Sequence, residues 1–110
     1  MKIIRRNRGK GKTTELIKLS SEKWYYIVCS TKRRAEHIVN MADKMGLDIP
    51  FPLTLKELPT HSPYIRGLLI DDFEEVLQHL VGGVPIVQCT TSCEVDMQED
   101  NKNVLNSLFD

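Results

Sequence analysis

Short apolar runs that lead through polar turns into stretches with helical periodicity constrain the fold of this chain more than any other feature of it. Lys2-Ile3-Ile4 runs into a basic, glycine-containing loop, and TTELIKLSSEK follows from Thr13, with Leu16, Ile17 and Leu19 marking the buried face of a helix. Trp24-Tyr25-Tyr26-Ile27-Val28-Cys29 is aromatic and β-branched, which predicts a second, largely buried strand ending at Ser30-Thr31. From Lys32 to Met45 the apolar residues Ala35, Ile38, Val39, Ala42 and Met45 recur at helical spacing, and Gly46 supplies the stop. IPFPLTLKELPTHSPY carries four prolines and reads as a loop with at most a short helix near Leu55 to Leu58. Gly67-Leu68-Leu69-Ile70 is a third strand, ended by Asp71-Asp72, and FEEVLQHL continues as a helix on Phe73, Val76, Leu77 and Leu80. After Gly82-Gly83, the run Val84-Pro85-Ile86-Val87-Gln88-Cys89 is a fourth strand candidate leading into Thr90-Thr91-Ser92.

That order, β-α-β-α-loop-β-α-β, predicts an α/β fold: a mostly parallel sheet of about 4–5 strands with helices on both faces, a three-layer α/β/α arrangement. At 110 residues the chain has the size of one domain. Residues 1–93 would form it, and 94–110 would be an acidic C-terminal tail or a terminal helix carrying Val104, Leu105, Leu108 and Phe109. Charged residues at 27% and hydrophobic ones at 41% exclude a disordered chain. No apolar run approaches the roughly 20 residues of a membrane helix, and the basic start lacks a signal peptide's apolar core, so the expected location is cytoplasmic with no membrane partner. Cys29 and Cys89 lie in apolar runs and read as core residues, Cys93 lacks zinc-finger company, and His37, His61 and His79 are scattered, so a metal role for them has little support.

The formal net charge of zero conceals a polarity along the chain. Residues 1–34 hold eleven Lys or Arg against two Glu, a net of +9, and residues 35–110 hold four against thirteen acids, a net of −9. An anionic ligand at the N-terminal part would use the first group; equally, the two halves can neutralise each other in the fold.

In an open parallel sheet, ligands bind beyond the carboxyl ends of the strands, and the loop after the first strand faces that crevice. Here that loop is RRNRGKGKTT. Gly9 and Gly11 let the backbone curl around an anion, the N–H groups at the start of the next helix point the same way, Lys12 reaches outer phosphates, and the Thr13 hydroxyl can ligate an accompanying magnesium ion. Gly11-Lys12-Thr13 resembles the end of the P-loop, or Walker A motif, although Arg6 stands where that motif has its first glycine. Leu68-Leu69-Ile70-Asp71-Asp72 is similar to a Walker B motif, with Asp72 one methylene shorter than the glutamate that family uses. The same two acids also suit the start of the helix FEEVLQHL.

IVCSTKRRAEHI resembles the segment after the second strand in the RecA-like core of superfamily 1 and 2 helicases and viral DNA-packaging ATPases, and IVQCTTS resembles their γ-phosphate-sensing strand end, with Thr90 and Thr91 as candidates. The chain as a whole is similar to small ATP-binding proteins of bacteriophages and prophages of Gram-positive bacteria. The resemblance implies a minimal P-loop NTPase domain whose cofactors are ATP and Mg2+. It assigns phosphate binding to Arg8, Gly9, Lys10, Gly11, Lys12, Thr13, Thr14 and Thr90, metal ligation to Thr13 and Asp71, and catalytic roles to Lys12 and Asp72. It implies slow or partner-stimulated ATP hydrolysis linked to phage nucleic-acid metabolism, in the host cytoplasm. A chain of this length is expected to lack the second lobe of those motors, so a DNA or protein partner would complete the site, a protein supplying an arginine finger; Arg5, Arg6 or Arg8 could instead act from the loop, or simply neutralise phosphate or pair with Asp71-Asp72. The alternative function is a non-hydrolysing regulator or adaptor that grips DNA or a host protein through the basic N-terminal surface, Lys32, Arg33 and Arg34 included.

Overall fold

The computed structural model describes residues 1–7, 9 and 11–97. Arg8, Lys10 and the segment from residue 98 to the end, which holds most of the expected tail or terminal helix, lie outside the described residues. The described residues form a mixed α/β structure of three helices and five strands, and every strand pair among them is parallel. The expected single sheet is instead two: a pair, β1–β5, and a triplet in the order β3-β2-β4. They belong to two compact units, one made of Met1–Lys12 with the described residues from Cys89 on, the other of Thr13–Gln88.

In the larger unit, β2 (Tyr26–Cys29) is the central strand, flanked by β3 (Leu53–Thr54) and β4 (Leu68–Ile70). Ile27, Val28 and Cys29 are all fully buried. Side chains alternate along a strand, so this central strand is covered on both faces, as its unbroken apolar run requires. Ile27 and Cys29 share one cluster with Ile17 of α1 (Lys12–Lys23) and with Ala35, Ile38 and Ala42 of α2 (Lys32–Lys44), so both helices pack against the same face of β2. Ala35 and Ala42, two helical turns apart, lie on the face of α2 that meets the strand. A third helix, α3 (Phe73–Leu80), follows β4 and buries Val76.

The ends of these elements have local causes. The Thr31 hydroxyl accepts from the Arg34 N–H at 3.2 Å and caps α2. A 3-10 turn, Leu55–Glu57, sits inside the proline-rich segment where a short helix is expected, and the Glu57 carboxylate accepts the Thr54 N–H at 3.2 Å. α1 ends with Trp24 in the left-handed region (φ 59°), donating its N–H to the Ser20 carbonyl at 2.8 Å, so β2 starts two residues later than the aromatic run predicts. Tyr25 then lies so close to Gly67 that a Cβ on residue 67 would come within 2.8 Å of its ring.

Val84–Cys89 does not form the expected fourth strand. Pro85 has no N–H to donate to a ladder, and the Val84 carbonyl is taken by the Gln78 side chain. Val84 and Val87 are exposed, and so is Cys89, which therefore is not a core residue. The fifth strand is β5, Glu94–Met97, at the start of the stretch expected to be tail or helix. It pairs with β1 (Lys2–Arg5) in the register Ile3 with Val95 and Ile4 with Asp96. Asp96 accepts from the Arg6 guanidinium at 3.3 Å, its carbonyl accepts a second Arg6 N–H at 2.9 Å, and Lys2 lies 3.6 Å from its carboxylate. Arg6, the residue in place of a glycine in the motif, is thus the clamp of this strand pair.

Two expectations follow. Gly67→Ala forces the Tyr25 ring aside and is expected to cost about 1–3 kcal/mol, read by urea denaturation; unchanged stability would show that the ring moves freely. The Arg6 hydrogen bond, with help from the nearby Lys2 charge, holds the Asp96 carboxyl below its ordinary 3.8. The β1–β5 pair therefore gains stability that is fully present above the ordinary carboxyl value and is lost as pH falls through the lowered one. Arg6→Ala is expected to return the Asp96 titration toward 3.8, followed by NMR; a titration that stays put rules out the clamp.

Candidate functional site

Parallel pairing of β2 with β4, Tyr26 opposite Leu68 through Val28 opposite Ile70, brings the carboxyl ends of both strands to the same edge. The ladder continues one residue further, with the Asp71 N–H donating to the Val28 carbonyl at 2.9 Å. That bond fixes the Asp71 backbone at the edge, where the side chain is only 5% exposed. Thr31 caps α2 directly after β2, so Arg34 falls in the first turn of α2, at the same edge.

The site is a closed ring of three side chains. Arg34 donates from Nε to Asp71 Oδ2 at 2.9 Å and from Nη2 to Thr13 Oγ1 at 2.9 Å, and the Thr13 hydroxyl donates to Asp71 Oδ1 at 3.1 Å. Both carboxylate oxygens are occupied, and the charge of this nearly buried group is balanced by a guanidinium whose side chain is 34% exposed. The hydrogen bond to Asp71 is the main reason the Arg34 pKa lies above its ordinary value, with partial burial opposing it and the Asp71 and Glu75 charges adding to it. Glu75, from the first turn of α3, is itself held by the Ser30 hydroxyl at 2.8 Å. Behind the ring, Cys29 is buried and donates to the carbonyls of Thr31 at 3.4 Å and Leu53 at 3.7 Å. Burial first, and the Asp71 charge second, push its thiol up, so it remains protonated at neutral pH and belongs to the core as its sequence context predicts.

Of the residues expected at a nucleotide site, Thr13 and Asp71 come together. Gly9 and Gly11 both have φ of 79°, the left-handed conformation that a loop curling around an anion asks of glycine. Lys12 opens α1 with an exposed side chain, and Thr14 is half-buried in the same turn. Asp72 occupies the N-cap position of α3 in the left-handed region (φ 55°), with no side-chain capping bond. Its exposed carboxylate therefore does not serve the capping role open to it in the sequence. Thr90 and Thr91 are exposed in the irregular segment ahead of β5. Arg34 is the member that motif reading leaves as one of three basic residues on a helix face. The Thr31 cap in the sequence marks the helix start, and so Arg34's place in its first turn, but not its partner.

An open cleft of about 410 Å³, lined by Glu22, Lys23, Trp24, Tyr25 and Arg66, lies by the start of β2, at the other end of the strands from Asp71, and holds none of the expected site residues. Among the described residues no three His, Cys, Asp or Glu gather into a metal site, and no helix is long and apolar enough to cross a membrane. Compared with models of protein families, with curated proteins and with solved structures, the chain matches none.

The ring makes its own prediction. Asp71→Asn removes the charge that Arg34 balances, and is expected to destabilise the chain by about 2–3 kcal/mol, toward the low end for a buried pair because solvent reaches Arg34. Urea denaturation measures it, and a loss below about 0.5 kcal/mol would show that the pair contributes as little as an exposed one.

Proposed function

We propose that this chain binds a nucleotide, Mg-ATP, by its phosphates at the carboxyl edge of the larger unit's sheet, as a minimal P-loop domain with slow or partner-stimulated hydrolysis. The observation that carries this reading is the Thr13 hydroxyl 3.1 Å from the Asp71 carboxylate, a helix-start hydroxyl and a strand-end carboxylate brought together across 58 residues of sequence. Positive φ at Gly9 and Gly11 supports it independently. The three-layer RecA-like arrangement is the fold this reading expects.

Thr13 Oγ1 and the Asp71 carboxylate fit magnesium as half a site: a hydroxyl and one carboxylate are what the protein contributes when phosphates and water complete the shell. Magnesium bound there would neutralise charge on the phosphate oxygens. The chain's own residues would do the rest. Backbone N–H groups of the first turn of α1 would bind phosphate oxygens, and Lys12, the first residue of that helix, would add a positive charge. The Asp72 carboxylate, exposed next to Asp71, would be the group that orients an attacking water, and its short side chain favours slow turnover.

Calorimetric titration of ATP with magnesium into the wild type and Lys12→Ala, with phosphate release followed in the same samples, tests the reading. Binding in the wild type and its loss in Lys12→Ala is the expected outcome. Equal affinity in the two proteins, or no binding in either together with DNA binding that weakens steeply with salt, would turn the function toward a non-hydrolysing regulator acting through exposed basic residues such as Lys32 and Arg33.

A further inference from the structure

The ring at Asp71 contains a residue that the nucleotide reading does not use. Every oxygen that reading offers to a metal is already engaged: Asp71 Oδ2 by Arg34 Nε, Thr13 Oγ1 by Arg34 Nη2, and Asp71 Oδ1 by the Thr13 hydroxyl. Two of the three bonds come from one guanidinium. Its fork spans two acceptors on different elements, Asp71 after β4 and Thr13 in α1, which a point charge such as lysine could not do with the same geometry.

We propose that Arg34 is the resident cation of this site: it stands where a divalent metal would stand, keeps Thr13 and Asp71 in register, and excludes a free divalent cation from them until it is drawn away. The inference rests on reading Thr13 and Asp71 as the metal-side half of a nucleotide site. The physical reason is direct. A guanidinium and a divalent cation repel each other, and they compete for the same two oxygens, Asp71 Oδ2 and Thr13 Oγ1. Without Arg34, the Asp71 carboxylate would face the Thr13 hydroxyl with its charge unbalanced, two oxygen donors of the kind a hard cation takes. With Arg34 in place the demand for charge is met, and a metal must displace the arginine in order to bind.

Two further features make the displacement workable. Arg34 is a third exposed, so it can swing outward without opening the core. Glu75 is within electrostatic range of Arg34 and is oriented by Ser30, which gives the released guanidinium a second carboxylate nearby. An incoming polyphosphate would offer it a stronger anion still. Arg34 is thus a positioning residue that sets the order of events, in which the anion arrives before the metal or with it.

The test uses manganese(II) alone, with no nucleotide, so that it does not depend on whether the chain binds ATP. Mn2+ is titrated into the full chain and its binding read from water-proton relaxation, and from paramagnetic broadening of the Arg34 Nε–H and Thr13 amide signals. Wild type is expected to show no broadening at those positions, while Arg34→Gln gains Mn2+ affinity by about tenfold or more, a gain that Asp71→Asn removes from the double variant. Should Arg34→Gln not fold, the wild-type spectra decide: broadening at Arg34 and Thr13 by Mn2+ alone overturns the proposal, and its absence together with intact Arg34 Nε–H protection supports it. Equal Mn2+ affinity in wild type and Arg34→Gln also overturns it. A chain that binds no ATP yet gains Mn2+ in Arg34→Gln would remove the nucleotide reading and leave Arg34's role standing.

Discussion

The larger unit depends on how the negative charge of Asp71 is accommodated. A carboxylate this deeply buried is tolerated only when it is paired and hydrogen-bonded. Here the partners come from two helices, Thr13 in α1 and Arg34 in α2, while the Asp71 backbone is stitched to β2 through the Val28 carbonyl. One residue, through its side chain and its backbone N–H, therefore ties α1, α2 and β2 to the end of β4, elements that the apolar core joins less specifically. The core beneath, with Ile17, Ile27, Ile38 and the two alanines of α2, supplies the non-directional part of the stability; the ring at the sheet edge supplies direction.

The charge asymmetry of the chain is consumed in the same way. Arg34 belongs to the basic first third and Asp71 to the acidic remainder, and Lys2 and Arg6 meet Asp96 across the β1–β5 pair. Mutual neutralisation thus accounts for part of the polarity that also suggests an anionic ligand. Lys32 and Arg33, exposed at the start of α2, are still available to a solvent-borne anion. Arg6 illustrates the difficulty of reading a basic loop from residue types alone. It sits inside the motif-like stretch, yet its guanidinium is a strand clamp.

The parts of the site legible in the sequence are those governed by local chemistry: glycine at positions of positive φ, threonine at the start of a helix, an aspartate closing an apolar run. The missing parts have different causes. Glu94-Val95-Asp96-Met97 alternates polar and apolar residues, the two-residue period of a strand, but its acidity outweighs that signal until Lys2 and Arg6 are seen beside it. Val84–Cys89 shows the reverse. Its β-branched residues favour a strand, and Pro85 together with the Gln78 bond to Val84 removes the backbone groups a ladder needs.

By itself the sequence determined where the helices and most of the strands lie, because hydrophobic periodicity and capping chemistry act over a few neighbouring residues. It also determined that an aspartate would stand at the end of β4, since the apolar run carries it to the sheet edge; its burial is the structure's own finding. Only the tertiary structure decided which cation answers that aspartate, and that the acidic segment after Cys93 would pair with the basic first strand. Those choices depend on parallel register and on loop closure between residues 37 and 90 positions apart, and no local pattern records which distant partner a side chain will meet.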